Sequence, residues 1–239
     1  MPFLASIEGS SAFGRPPRIT TATPATNGGS ILFTASSTSG ISIPNSADVQ
    51  MGTGDFTIEW FQYQLASSGT YQRIFSIGTY SSQSIAMSQE GTDTSKSIYA
   101  WASSGVQQGV ARNLQGAWYH FAMTRASGSL RVFLGGTQIG TTAANATNFN
   151  DAANVLRIGN ESSTSALAAF NGYITNFHWV KGTALYTANF TPPTQPITPV
   201  ANTKLLLLAT TSGTVLTDSS GTGKVATGTG VTWSSLAPF

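Results

Sequence analysis

The residues most able to do chemistry in this 239-residue chain are Asp55 and Glu59, two carboxylates within Gly54-Asp55-Phe56-Thr57-Ile58-Glu59-Trp60. A carboxylate pair is the machinery of glycoside hydrolysis, and in retaining enzymes the two groups stand about 5 Å apart. The segment alternates as a β-strand, on which residues four apart are separated by about 13 Å. Thr57 holds the position from which a partner would work. The expectation is therefore no catalytic pair, with Glu59 a solvent-facing strand residue. His120 and His178 both fall in predicted strands, with no cysteine, aspartate or second histidine at metal-ligand spacing. Ser219-Ser220-Gly221-Thr222-Gly223-Lys224-Val225 has the look of a phosphate-binding loop but no glycine stands five residues before Gly223, and Val225 replaces the metal-binding hydroxyl. It reads as a surface hairpin. No catalytic residue and no enzymatic activity are expected.

Composition narrows the partners. Charged residues make up 8% of the chain and hydrophobic ones 40%, so a packed core is expected beneath a largely neutral polar surface. The formal charge is +2 and the eleven basic residues are scattered singly, leaving no stripe to neutralise successive phosphates. Nucleic acid is not an expected partner. With no cysteine, neither a disulfide framework nor a thiolate site can form. The amino terminus lacks a basic n-region and a long apolar run, which predicts no signal peptide, and no stretch approaches the ~18 apolar residues of a membrane span.

The elements that must position any site are strands. Phe56, Ile58 and Trp60 alternate with Thr57 and Glu59, and Leu130, Val132 and Leu134 alternate with Arg131 and Phe133, a period of two that buries one face of each strand. Turn signals recur about every eight to twelve residues, as in an antiparallel sandwich. Gly135-Gly136 predicts a two-residue hairpin. The apolar parity changes between Ile174 and Phe177, which predicts a β-bulge. Leu205 to Leu208 reads as a central strand covered on both faces or as one packed under the arm, the Pro192 to Pro199 segment as an extended crossing, and Val225 to Trp233 as a return beside the first strands. Residues 1–29 lack periodicity and carry Pro16-Pro17 and Asn27-Gly28-Gly29, so they read as an extended arm before a domain over 30–239. Phe3, Leu4, Ile7 and Phe13 are its candidate docking residues.

Among aromatics near turns and strand ends, Tyr80, Tyr99 and Trp101 are the candidates for stacking on sugar rings, with Tyr71, Tyr119 and Tyr186 in similar places. Trp60, Trp118 and Trp179 sit inside strand blocks and are assigned to the core.

The Phe-Thr-Ile-Glu-Trp strand, Trp118-Tyr119-His120-Phe121, the aliphatic strand ending in Gly135-Gly136, and Phe170-Asn171-Gly172-Tyr173-Ile174, in this order, resemble laminin-G-like domains of the concanavalin A-like superfamily. The resemblance implies an all-β, two-sheet antiparallel jelly-roll sandwich with the arm appended. It also implies a packing or backbone-bonding role for His120, and calcium at the sandwich rim, for which Asp151, Asn148 and Asn150 in an Asx-rich loop are the candidates here, with Asp93 in another. Ordinary Asx-turns are the competing reading of that loop. Lys181 to Pro193, followed by Asn202 to Leu208, resembles the closing segment of such modules in bacteriophage and other virion proteins. That implies a non-enzymatic virion structural protein, a capsid decoration or tail-associated subunit, made in the host cytoplasm. Its partners would be other virion proteins and copies of itself, with surface glycans an additional ligand. A carbohydrate-binding adhesion module is the alternative, and a glycoside hydrolase the third reading.

Overall fold

The computed structural model describes residues 28–66, 70–78, 84–92, 95–102, 105–108, 112–161 and 166–239. The arm residues Phe3, Leu4, Ile7 and Phe13, and also Tyr80 and Asp93, lie outside the described residues. The strands are β1 (Ser30–Phe33), β2 (Gly40–Ile43), β3 (Phe56–Gln64), β4 (Tyr71–Ile77), β5 (Ile85–Thr92), β6 (Ser95–Ala102), β7 (Gly105–Gln108), β8 (Trp118–Ala126), β9 (Ser129–Leu134), β10 (Thr137–Ala144), β11 (Leu156–Ile158), β12 (Gly172–Lys181), β13 (Thr203–Leu207), β14 (Thr227–Thr229) and β15 (Val231–Ser234). Two short 3-10 turns, Ala166–Ala168 and Ser212–Thr214, complete the elements. No helix among the described residues is long and apolar enough to cross a membrane.

Two antiparallel sheets form, as the period-two pattern predicts. The larger runs β10, β9, β8, β3, β12, β1, β15, and the smaller runs β14, β2, β11, β4, β5, β6, β7. Strand β12 splits its free edge between two neighbours. Ile174 and its preceding residues pair with β1, while Phe177 to Val180 pair with β13. The division falls at the predicted bulge, where Asn176 adopts φ +54 and the register against β3 shifts between Thr175 and His178. An extra residue at this point resets the alternation, so that Ile174 and Phe177 both enter the core. The closing residues return as expected, β14 beside β2 and β15 beside β1. Leu205 to Leu207 differ from the expectation of a central strand. They are covered on both faces, but their only long pairing is with β12.

The core lies between the sheets. Trp60 stacks on Phe121 with centroids 5.4 Å apart and meets the edge of Phe75 at 5.6 Å, joining β3 and β8 to β4 of the facing sheet. Trp179 approaches the same Phe75 at 5.8 Å. Offset and edge contacts between rings add roughly 0.5–1.5 kcal/mol each beyond area burial, so this ring cluster is the main seam between layers.

A strap covers the outer face of the larger sheet. Residues 182–202 contain no regular structure among them, because Pro192, Pro193, Pro196 and Pro199 cannot donate to a ladder. Their polar groups are satisfied instead by the sheet beneath: the Leu185 amide donates to Thr57 Oγ1 at 2.8 Å, Thr124 Oγ1 to the Tyr186 carbonyl at 2.9 Å, and the Ile197 amide to Asn176 Oδ1 at 2.7 Å. The strap passes so close to the β9–β10 turn that the Phe190 amide bonds the Gly136 carbonyl at 2.9 Å, and a Cβ on Gly136 would collide with the Phe190 carbonyl. Glycine is required there both for that approach and for its φ of +75. Farther along, Phe61, Trp118, Leu206 and Ile197 form a second apolar cluster, with Leu236 and Phe239 packed against it.

Candidate functional site

Half-buried rings stand on both outer faces: Tyr63 and Tyr173 meet edge to face at 5.9 Å beside the strap-covered part of the larger sheet, and the smaller sheet presents a stacked pair on β6. Inward positions of β6 are taken by Ile98 and Ala100, so Tyr99 and Trp101 point outward, both half-buried. Their rings stack with centroids 6.0 Å apart and planes at 26°. Neighbouring strands lock this shelf from beneath. Trp101 Nε1 donates to Ser88 Oγ at 2.8 Å, and Ser88 Oγ donates to Glu90 Oε1 at 3.0 Å. The Arg73 guanidinium lies 5.8 Å from the Trp101 ring centre, its Nη1 3.4 Å from Glu90 Oε1 and its Nε 3.9 Å from Glu161 Oε2. A buried cation under an indole is worth more than an exposed one, and it holds the ring in place. Tyr71, opposite Glu90 in the register, adds an exposed ring at the margin of the same face.

Of the three residues predicted to stack on sugars, two are therefore brought together, and Tyr80 lies outside the described residues. Tyr119 instead turns into the core, and Tyr186 is half-buried in the strap with its hydroxyl on Glu59. Trp60, Trp118 and Trp179 are fully buried, as assigned.

The second cluster of ionisable groups corrects the sequence reading. Glu59 is not solvent-facing. Its side chain is 1% exposed beneath the strap. Oε2 is 3.0 Å from His120 Nε2 and accepts the Tyr186 hydroxyl at 2.8 Å, while Oε1 is 2.8 Å from His178 Nδ1. His178 Nε2 continues to Thr203 Oγ1 at 2.8 Å. His120 thus bonds a carboxylate rather than the backbone. Burial alone would push the Glu59 carboxyl up, but the hydrogen bonds and charges of His120 and His178 outweigh it and lower its pKa to about 2. Burial, and the Glu59 charge beside it, raise the Tyr186 phenol well above its ordinary range. Three strands and the strap converge on this carboxylate. Asp55, the supposed partner, accepts the Ser127 amide at 2.8 Å. The signal available in the sequence was the shared outward parity of Glu59, His120 and His178. Only the strand register makes them neighbours, with His178 directly opposite Glu59.

In the Asx-rich loop the candidate calcium ligands are brought together and their oxygens are already engaged. Asp151 Oδ1 accepts the Ala153 and Asn154 amides at 3.1 and 3.2 Å, Asn148 Oδ1 accepts the Asn150 amide at 3.1 Å, and Asn150 Oδ1 accepts the Gly52 amide at 2.8 Å. These are turn bonds of the Asx type. Among the described residues no three histidine, aspartate or glutamate side chains group to hold a metal. The Ser219–Val225 loop is closed by Asp218, whose carboxylate accepts the Ser220 and Lys224 amides at 2.9 and 2.8 Å.

Comparison with known proteins agrees with this architecture. A Bacteroides ovatus protein provisionally described as carbohydrate binding superposes with a TM-score of 0.67 at 15% identity, over 89% of this chain. The chain spans 61% of that protein's length. A heptameric SAP-like pentraxin from Limulus polyphemus superposes with a TM-score of 0.58 at 14% identity, covering 87% of this chain and 95% of the pentraxin. At such identities the likeness shows the fold alone. No curated protein matches the chain. The family profile of the concanavalin A-like lectin/glucanases superfamily, in its laminin-G form, matches residues 35–186, and the chain belongs to that superfamily.

Proposed function

We propose that this chain is a non-enzymatic binding module that takes a neutral glycan on the outer face of its smaller sheet. The observation that carries the reading is the Tyr99–Trp101 pair, two half-buried rings in parallel on a partly exposed face, fixed by Ser88 and Arg73. Sugar rings bind to such shelves through their apolar C–H faces, while hydroxyls take bonds from polar neighbours such as Tyr71 and Glu90. A chain with 8% charged residues offers little to a charged ligand and much to a neutral one. The carboxylate best placed by type for hydrolysis, Glu59, is committed to two histidines and a tyrosine.

A glycan array followed by titration tests this. The wild type is expected to bind at least one neutral glycan, Trp101→Ala to weaken that binding about tenfold or more, as loss of one ring contact of about 1.5 kcal/mol requires, and Glu59→Gln to leave it unchanged. Equal affinity of Trp101→Ala, or release of reducing ends by the wild type that Glu59→Gln abolishes, would count against it.

A second reading concerns where the module works. The strap is the segment whose sequence, Lys181 to Pro193, resembles the closing segment of virion proteins, and it lies across the larger sheet. This favours a capsid-decoration or tail-associated subunit of a virus particle that docks on other virion proteins or on copies of itself, with the glycan shelf left free.

A further inference from the structure

We propose that one end of the sandwich, beyond the Trp60–Phe75 contact, is an internal water-binding site lined by glutamine amides. Trp60 and Phe75 meet between the sheets at 5.6 Å. Two residues past Trp60 on the inner face of β3 comes Gln62, and β4 opens at Tyr71 only seven residues after β3 ends at Gln64, which places Gln72 at the same end of the sandwich. Gln89 stands directly opposite Gln72 in the β4–β5 register, on the parity of the core residue Met87. Tyr119 faces Gln62 across β3 and β8. Amides from both sheets are thus brought to this end of the core, beside Tyr119. Gln62, Gln72 and Gln89 are each 0% exposed.

These amides are not satisfied by protein. Gln62 Oε1 accepts Trp60 Nε1 at 2.9 Å, but Gln62 Nε2 and both amide atoms of Gln72 and of Gln89 are buried without a hydrogen-bond partner in the protein. An unsatisfied buried amide costs about 1–3 kcal/mol, and a layer of them would be a poor end to an apolar core. Rotation of Gln72 and Gln89 towards one another does not remove the problem, because a glutamine amide carries two N–H donors and a carbonyl with two lone pairs, of which mutual pairing uses half. A neutral, compact molecule that both donates and accepts fits this lining, and water is the smallest. The six N–H donors and two carbonyls of these three side chains left open match about two or three waters making about three bonds each.

A crystal structure at a resolution that shows ordered solvent is the direct test, and it needs no variant. Waters within hydrogen-bond distance of the Gln72 and Gln89 amides, reaching towards Gln62, are expected. A dry layer with the amides bonded to one another or to loop backbone, or an organic molecule in the layer, would overturn the proposal. In solution, water-proton or oxygen-17 relaxation dispersion counts long-lived internal waters. The Gln72→Met/Gln89→Met double variant, which keeps side-chain length without amides, is expected to lose dispersion amplitude equal to about two waters. Undiminished amplitude in that folded variant would overturn the proposal equally.

Discussion

Arg125→Met is expected to lower the free energy of unfolding by about 3 to 5 kcal/mol. The guanidinium is fully buried, and its bonds go to the backbone of loops distant in sequence. Nε and Nη2 donate to the Gly54 carbonyl at 2.9 and 2.6 Å, Nη2 also to the Gly52 carbonyl at 2.7 Å, and Nη1 to the Thr147 carbonyl at 2.7 Å and Asn145 Oδ1 at 3.2 Å. Phe149 and Phe56 flank it, with ring centres 4.5 and 5.2 Å from Cζ. One side chain therefore closes the turn before β3 and the loop after β10. Methionine would restore the apolar volume and leave the part-buried carbonyls of Gly52, Gly54 and Thr147 without their donor, which is the costly half of losing a hydrogen bond. Lysine is expected to recover only part of the loss, since a point charge cannot reproduce the fork. Denaturant unfolding checks this: the midpoint should fall for both variants with little change in slope. A midpoint within experimental error of wild type would show that the loops close without Arg125.

Glu59→Gln is expected to cost about 3 kcal/mol near neutral pH, the equivalent of lowering a carboxyl pKa from 4.5 to about 2 at roughly 1.4 kcal/mol per unit. The amide keeps one acceptor oxygen, so its NH2 group would face either His178 Nδ1 or the His120 and Tyr186 pair. The pH dependence has a definite sign. Because the folded pKa lies below the unfolded one, the stabilisation is complete above about pH 4.5 and is lost as pH falls through about 2. Wild type should therefore lose stability across that window, whereas Glu59→Gln should lose less there and converge on wild type at its acid end. Parallel profiles for the two proteins would show that the carboxylate is not what ties strap to sheet.

The sheets were legible in the sequence because alternation is a local property. Phe56, Ile58 and Trp60, the Gly135-Gly136 turn, the parity break between Ile174 and Phe177, and the return of Val231 to Ser234 beside β1 all follow from neighbouring residues. The Tyr99–Trp101 shelf was half legible: a spacing of two puts both rings on one face, but Ser88 and Arg73 join them only through the β4–β5–β6 register. Glu59 was misread for a different reason. Its parity does point away from the sandwich, as alternation indicates, but the outer face is dry because residues from 182 onward fold across it, and no local pattern announces a cover contributed more than a hundred positions away. Leu205 to Leu207 misled in the same way, since double-sided burial can come from a strap as well as from a place in the middle of a sheet.

Uptake of ligand on the shelf of the smaller sheet can be read residue by residue by nuclear magnetic resonance, titrating the nitrogen-15-labelled chain with a glycan selected on the array. The largest amide shifts are expected on Ser88, Tyr99 and Trp101, with the indole N–H of Trp101 moving as its bond to Ser88 responds. Shifts confined to the Asn145–Asn154 loop, or to the strands beneath the strap, would contradict it.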